Sequence, residues 1–291
     1  MRYRFIKEHE KQFRLWLMCR VLKVSRSGYY AWRDRPLSES ARENEKLLAK
    51  IEIAHKKSKK TYGSPRIHGQ LVKDGVSCSR GRVARLMRAN GIRAKQKKKF
   101  IVTTDSKHDL PVVENVLDRQ FDVDTPNTVW TADITYIPTD EGWLFLSTVM
   151  DLCSKGIAGW SMDDRMKTDL VSSALKMAYD RRNPGVGLLH HSDRGSQYAS
   201  EDYQNLLKEY GMQPSMSRKG NCWDNAPMES FFHTLKTELI HHKKYQSREE
   251  ARRDIFEYIE VFYNRQRLHS SLGYKSPAEF ESQFQLAAYA A

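Results

Sequence analysis

Cysteine is scarce in this sequence of 291 residues: there are four, Cys19, Cys78, Cys153 and Cys222, and no two of them form a CxxC pair. This spacing argues against a disulfide framework and against a cysteine-based zinc site. Long apolar runs are also missing, since no window approaches the ~18 apolar residues of a membrane span. The first residues carry too many charges for a secretory signal peptide, so we expect a cytoplasmic protein without a membrane partner.

Acidic residues are scarce in the first part of the chain. The whole sequence has 49 Lys and Arg against 36 Asp and Glu, which gives a net charge of +13 and a pI near 9.5. Residues 1–100 hold 28 Lys and Arg against 8 Asp and Glu, a net charge of +20, so residues 101–291 have a net charge of −7. This separation predicts that residues 1–100 bind a nucleic acid. A solvated basic surface without a partner is the alternative.

Two short helical patterns in this mostly helical basic region are separated by a turn. We predict helices over 66–73 and 79–90, joined by the helix-breaking segment 74–78, which is the outline of a helix-turn-helix over about residues 62–95. At ~100° per residue, the second helix has apolar residues on one side and arginines on the other. The predicted DNA-binding residues are Arg82, Arg85 and Arg88 on this helix and Lys95, Lys97, Lys98 and Lys99 after it. An ordinary charged helix followed by a solvated linker would give the same pattern.

After the basic region the pattern changes. Residues 101–125 lose periodicity and are predicted to form a linker to a second domain, residues 126–291. This domain begins with three predicted strands, 129–138, 143–153 and 156–163, and continues with helix 168–182, strand 187–192, helix 200–210 and strand 213–217. The order predicts an α/β sheet covered by helices. One long amphipathic helix, 247–272, is predicted to close the domain.

Three acidic residues occupy positions from which their side chains can converge. Asp133 lies inside the first predicted strand, where strand propensity disfavours Asp. Asp193 directly follows strand 187–192. Glu229 lies one turn into a helix that begins after Asp224 and Asn225. Taken singly, they could be a buried polar group, a turn residue and a favourable charge near a helix N-terminus. Together, beside a polyanion-binding region, three hard oxygen ligands predict Mg²⁺-assisted phosphoryl transfer.

Several segments carry a resemblance to a known family. Three segments resemble the acidic motifs of bacterial insertion-sequence transposases, which belong to the retroviral-integrase superfamily. These segments are WTADITY at 130–136, HSDRGSQY at 191–198 and CWDNAPMESFF at 222–232. Thirty-five residues lie between Asp193 and Glu229, the spacing after which this group is known. The insertion sequence three family is similar in the segments YGSPRI at 62–67 and YNRQRLHSSLGY at 263–274, so the resemblance covers roughly residues 20–282.

This resemblance implies a ribonuclease H-like integrase catalytic core, in which Asp133, Asp193 and Glu229 are the catalytic residues and bind two Mg²⁺ ions, replaceable by Mn²⁺. It also suggests a role for Lys236, seven residues after Glu229. Because the two residues share one strip of the predicted helix, we expect Lys236 to contact DNA beside the metals. A solvated helix lysine is the alternative. The nearby histidines His190, His191 and His233 are expected to pack or to support the site rather than bind metal.

The family resemblance implies a bacterial, nucleoid-associated DNA transposase that cleaves and joins DNA at insertion-sequence ends. Its implied partners are transposon-end and target DNA, further copies of itself on that DNA, and an upstream reading-frame product, sometimes joined to it by a frameshift. No sustained heptad zipper is visible, so the chain resembles the downstream catalytic product. Two alternatives remain: a non-catalytic DNA-binding regulator, against which the three carboxylates count, and a structure-directed metal nuclease, which would not join strands.

Overall fold

The computed structural model describes residues 1–36, 38–95, 112–219 and 221–290. The chain forms two compact units, which divide between Ile53 and Ala54. The division lies there because the helix-turn-helix region packs on residues near 266–268. The Tyr62 hydroxyl accepts a hydrogen bond from the Leu268 N–H at 2.7 Å and donates one to the Gln266 carbonyl at 3.2 Å. In the described ranges no helix is both long and apolar enough to cross a membrane.

The first unit contains three short helices, α1 (Arg2–His9), α2 (Leu15–Val21) and α3 (Arg26–Arg33), and the start of α4 (Glu39–Lys57). Its small core consists of the buried side chains Ile6, Met18, Cys19 and Tyr29. Helix α3 begins after Ser25, whose side chain accepts a hydrogen bond from the Gly28 N–H at 3.0 Å and so caps the helix. The mostly helical character predicted for the basic region is confirmed.

The predicted helix-turn-helix is present in the second unit, as α5 (Ser64–Lys73) and α6 (Arg80–Ala89). The two helices contact each other, and their apolar side chains Ile67, Leu71, Val83 and Met87 are buried. Ser79 caps α6 by accepting a hydrogen bond from the Arg82 N–H at 3.2 Å, and Gly91 follows the helix with φ +66°, which favours glycine. Residues next to α6 in the sequence therefore determine both of its ends.

The described part of the second unit also contains a five-stranded sheet. The first three strands, β1 (Val129–Thr139), β2 (Gly142–Asp151) and β3 (Ile157–Asp163), form an antiparallel meander as predicted. Two short strands, β4 (Leu189–Ser192) and β5 (Gln213–Met216), continue the sheet in parallel pairing. Strand β1 is thus central and pairs with β2 on one side and with β4 on the other.

Helices cover this sheet and complete its core. Helix α7 (Thr168–Arg182) has the predicted bounds, and α8 (Ser196–Ala199) and α9 (Glu201–Glu209) follow β4. Their apolar side chains pack on Trp130 and Ala132 of β1 in one buried cluster. Gly159 of β3 lets α7 approach closely, since a Cβ there would collide with the carbonyl oxygen of Ala174. The next helix, α10 (Ala226–Glu238), lies against β1.

The single closing helix predicted over 247–272 is wrong. Helix α11 (Arg248–Phe256) passes into a π-helical segment (Glu257–Tyr263), and the chain then leaves the helix and later forms α12 (Pro277–Ala290). The helix ends because its next polar residues have tertiary partners. The Asn264 side chain bonds both the N–H and the carbonyl of Ile157, at 2.9 and 3.0 Å, and Arg267 is buried against Glu238. These bonds outweigh the helical periodicity of the sequence.

Candidate active site

Asp133 and Asp193 are brought together by the parallel pairing of β1 with β4. Ala132 is paired with Ser192, so Asp133 is the next residue along β1 and Asp193 the first residue after β4. Neighbouring strands lie ~4.8 Å apart, which makes Asp193, just after the carboxyl end of β4, a neighbour of Asp133 in the middle of β1. Burial and the negative charge of Asp193 raise the pKa of Asp133 well above its usual value, opposed by a hydrogen bond from the Ile134 N–H at 2.7 Å.

Glu229 is positioned by an anchor at the start of α10. The Asn225 side chain, just before this helix, donates a hydrogen bond to the Ala132 carbonyl at 3.2 Å and accepts one from the Thr131 hydroxyl. Both partners lie on β1 beside Asp133, so α10 begins next to the aspartate pair. The Glu229 side chain is exposed, yet desolvation raises its pKa, and its charge adds to the effects that raise the pKa of Asp133.

Helix α10 begins after Asn225 without a side-chain cap, and Asp224, one residue earlier, has a different role. Asp224 is fully buried and accepts hydrogen bonds from the guanidinium groups of Arg218 and Arg119, at 2.8 to 2.9 Å. These bonds hold the pKa of Asp224 well below its usual range. Sequence reasoning missed this pair of arginines and the Asn225 anchor. Asn225 lies inside an acidic motif and Arg218 lies four residues before it, whereas nothing in the sequence pointed to Arg119.

Lys236 lies inside the protein near the aspartate pair. Its side chain is 6% exposed, and its Nζ atom lies 4.8 Å from the centre of the Tyr136 ring. Burial lowers the pKa of Lys236 to about 8, and the charge of Asp133 opposes this shift. The alternative that Lys236 is a solvated helix lysine is therefore wrong. Tyr136, which the sequence analysis did not single out, is its aromatic neighbour.

The chemistry of these side chains suits a hard cation. Asp133, Asp193 and Glu229 offer only oxygen ligands, and a divalent cation would relieve the carboxylate repulsion that raises the pKa of Asp133. The three carboxylates do not form a closed metal site. Among the described residues, no group of three or more His, Cys, Asp or Glu side chains is placed to hold one ion together. The donor types fit Mg²⁺, and the third carboxylate would have to approach the other two.

The neighbouring histidines have packing roles. His190 is buried, with Nε2 at 3.1 Å from the Tyr203 hydroxyl. His191 is also buried, and its two ring nitrogens lie 2.9 and 3.2 Å from the hydroxyl oxygens of Ser215 and Ser217. Burial lowers the pKa values of both, to about 3 for His190 and about 4 for His191, so both rings are neutral at physiological pH. His233 is exposed on α10.

Comparison with known proteins identifies the relatives of this chain. Residues 123–222 and residues 229–284 match two families described as integrase core domains, and residues 42–100 match an HTH-like domain. A transposase InsF for insertion sequence IS3A of Escherichia coli (strain K12) is 45% identical over 284 residues, 97% of this chain and 99% of that protein. The chain belongs to the IS3 transposase family. An insertion element IS600 uncharacterized 31 kDa protein of Shigella sonnei is 47% identical over 267 residues, 92% of this chain and 98% of that protein.

The predicted integrase core and N-terminal helix-turn-helix of this IS3-family chain are confirmed by these matches and by the mixed sheet. Among solved structures, the catalytic core domain of BIV integrase is similar over 56% of this chain and 99% of that chain, at 15% sequence identity and a TM-score of 0.42.

The residues predicted to bind DNA have different environments in this IS3-family chain. Arg85 and Arg88 are exposed on α6, on the side opposite the buried Val83, whereas Arg82 is half-buried. Lys95 is half-buried, with Nζ at 3.4 Å from the Glu238 carbonyl oxygen. Lys97, Lys98 and Lys99 lie outside the described residues. The two exposed arginines are available to a DNA backbone, and Lys95 lies against the end of α10.

Proposed function

We propose that this chain is a DNA transposase that cuts phosphodiester bonds at the ends of an insertion sequence and joins the freed 3′-hydroxyls to target DNA. The observation that carries the proposal is that the parallel pairing of β1 with β4 brings Asp133, inside β1, next to Asp193, just after β4, with Glu229 on a helix anchored beside them. A helix-turn-helix with exposed arginines in the same chain supplies the means of binding DNA.

The three carboxylates would hold two Mg²⁺ ions, and Mn²⁺ would substitute because it also accepts oxygen ligands in octahedral geometry. When bound, such ions activate the attacking oxygen and stabilise the leaving oxygen of an in-line displacement. The contribution of the chain is to hold Asp133 and Asp193 by strand pairing and Glu229 by the Asn225 anchor. Water is the first nucleophile and the DNA 3′-hydroxyl the second, without a covalent protein–DNA intermediate.

Lys236 supplies positive charge to the same site. Its position beside Asp133 and Tyr136 supports a role in holding a DNA phosphate next to the scissile bond, because a buried ammonium group interacts strongly with an anion. In DNA-free protein the Tyr136 ring and the Asp133 carboxylate stabilise this charge.

The test is a strand-joining assay with a labelled transposon-end duplex, target DNA and Mg²⁺. Asp193→Asn keeps the side-chain shape and removes a charged ligand, so joining should fall by several orders of magnitude while DNA binding persists. Asp202→Asn, at an exposed residue of α9, is the matched control. Near-normal joining by Asp193→Asn or Glu229→Gln protein would refute the triad.

The products of the same assay separate the alternatives. A metal nuclease would cut without joining, and a regulator would bind without cutting. We expect Mn²⁺ to support joining, and Ca²⁺ to support binding better than chemistry because its coordination is larger and looser. The proposed partners are transposon-end and target DNA in the bacterial nucleoid, other copies of this chain, and the upstream reading-frame product, separate or fused.

A further inference from the structure

A groove lies between α10 and the segment that leads into α5, and we name it the α10 groove. It consists of two adjoining cavities with volumes of about 440 and 260 Å³. The residues that line both cavities are Arg66, Thr234, Arg267 and Ser270. The larger cavity is also lined by His233 and Thr237, one and two turns after Glu229 on the same helix, so it begins near the proposed catalytic residues.

Three cationic side chains of this groove gather around one carboxylate. Arg267, only 4% exposed, makes a two-point contact with Glu238, with Nη2 at 2.8 Å from Oε1 and Nε at 3.0 Å from Oε2. Arg66 Nη1 lies 3.7 Å from the same Oε1 atom, and Lys95 Nζ lies 3.4 Å from the Glu238 carbonyl oxygen. Glu238 also accepts a hydrogen bond from the Tyr258 hydroxyl at 2.8 Å. One negative charge therefore faces three positive charges.

The neighbouring groups show the excess positive charge. Burial, then the charges of Arg267 and Arg66, lower the pKa of His269 to about 3, so this lining residue of the smaller cavity is neutral. Burial and the like charge of Arg267 also lower the pKa of Arg66. Positive groups this close together repel each other unless an anion joins them.

The remaining polar lining consists of hydrogen-bond donors. The hydroxyls of Thr234, Thr237 and Ser270 line the larger cavity beside the cations. Guanidinium, ammonium and hydroxyl groups are the donors that proteins use for phosphate oxygens, and charge-assisted bonds to phosphate are the stronger class. We infer that the α10 groove binds the phosphodiester backbone of the DNA strand that leads from the helix-turn-helix to the active site.

This inference rests on the proposed function and adds to it a path for the DNA strand. The helix-turn-helix contributes Arg66 from α5, the residues after α6 contribute Lys95, and the C-terminal region contributes Arg267. A strand held there would touch the DNA-binding and catalytic parts of the chain at once.

The test uses full-length protein with Asp193→Asn, so that binding is measured without chemistry. Transposon-end duplexes carry a single uncharged methylphosphonate at successive positions near the scissile bond. Loss of one groove contact should weaken binding about 5- to 10-fold at one or two positions. In protein that also carries Lys95→Gln, the same methylphosphonate should cost little more, because its partner is already gone. Lys208→Gln changes an exposed residue of α9 and is the control. It should leave the loss of DNA binding at each methylphosphonate position unchanged.

A second variant adds a negative charge at an exposed position of the groove. Ser270→Asp should weaken DNA binding at least ~10-fold by repelling phosphate. Ser282→Asp, at an exposed residue of α12, should not. Thermal unfolding of both variants checks the fold. The inference is overturned if Lys95→Gln and methylphosphonate effects add at every position and Ser270→Asp binds like Ser282→Asp. Normal joining by Asp193→Asn protein would instead refute the triad and leave these binding results unaffected.

Discussion

At the scale of single residues, the aspartate pair carries an unbalanced charge. Burial and the repulsion with Asp193 raise the pKa of Asp133, and Asp133→Asn removes both the buried charge and the repulsion, so we expect a higher melting temperature than wild type in EDTA at pH 8. Mg²⁺ should stabilise the wild type, because binding to the native state alone raises stability, and should not stabilise the variant. Thermal unfolding with and without Mg²⁺ measures both effects. Equal stabilisation of the two proteins by Mg²⁺ would contradict the assigned site.

Lys236 allows charge and packing to be separated. Lys236→Met keeps an apolar stem over the Tyr136 ring and removes the charge, so it should fold normally. We expect it to slow cleavage and joining at least ~10-fold while non-specific DNA binding changes little. Lys208→Met is the matched exposed control. Joining rates at fixed salt that do not differ between the two variants would withdraw Lys236 from the site.

Asp224 gives a pH-dependent prediction. The two arginines lower its pKa, so its stabilising effect is present above the ordinary Asp pKa of 3.8 and is lost as the pH falls below it. Asp224→Asn should destabilise the protein at pH 7 by ~2 kcal/mol, since a buried partner of half-exposed arginines is lost. The difference from wild type should shrink in acid. Urea unfolding at pH 7 and pH 3 measures it, and a constant difference would show that the ion pairs are not responsible.

At the scale of elements, local signals predicted what local interactions determine. The bounds of α7 and the serine cap of α6 follow from nearby residues, and both were predictable. The continuous helix over 247–272 was not excluded by the sequence, because its periodicity persists while Asn264 bonds to Ile157, 107 residues earlier. The motifs also single out Asp133, Asp193 and Glu229, whose catalytic role stays a prediction. The Arg119 partner of Asp224 could not be predicted, because it lies 105 residues away along the chain.

Helix α6 has its own test. Arg85→Ala with Arg88→Ala removes two exposed charges, so binding should weaken and the logarithmic salt slope should become less steep by ~1 to 2. The fold should persist because both side chains are solvent-exposed. Arg253→Ala, at an exposed residue of α11, is the control for loss of an arginine. An unchanged salt slope would mean that α6 makes no phosphate contact, and a large fall in melting temperature would show a structural role.

At the scale of the whole molecule, the two units can be tested by deletion. The core of the first unit lies before α4, and residues 1–36 hold 10 Lys and Arg against 3 Asp and Glu. Deleting these residues should leave the main unfolding transition in place, since the second unit has its own core. DNA affinity should fall and its salt dependence should flatten because positive charge is lost. Loss of the main transition would show that the two units fold only together.

The pairing of β1 with β4 also determines when the active site exists during synthesis. The β1–β2 hairpin is local and can form early, but Asp133 leaves the ribosome 60 residues before Asp193 and 96 before Glu229. At ~5 to 20 residues per second, that interval lasts roughly 5 to 20 seconds. A nascent chain therefore carries the helices proposed to bind DNA for seconds before it has all three carboxylates proposed as catalytic, so it can meet DNA near its own gene before it can cut.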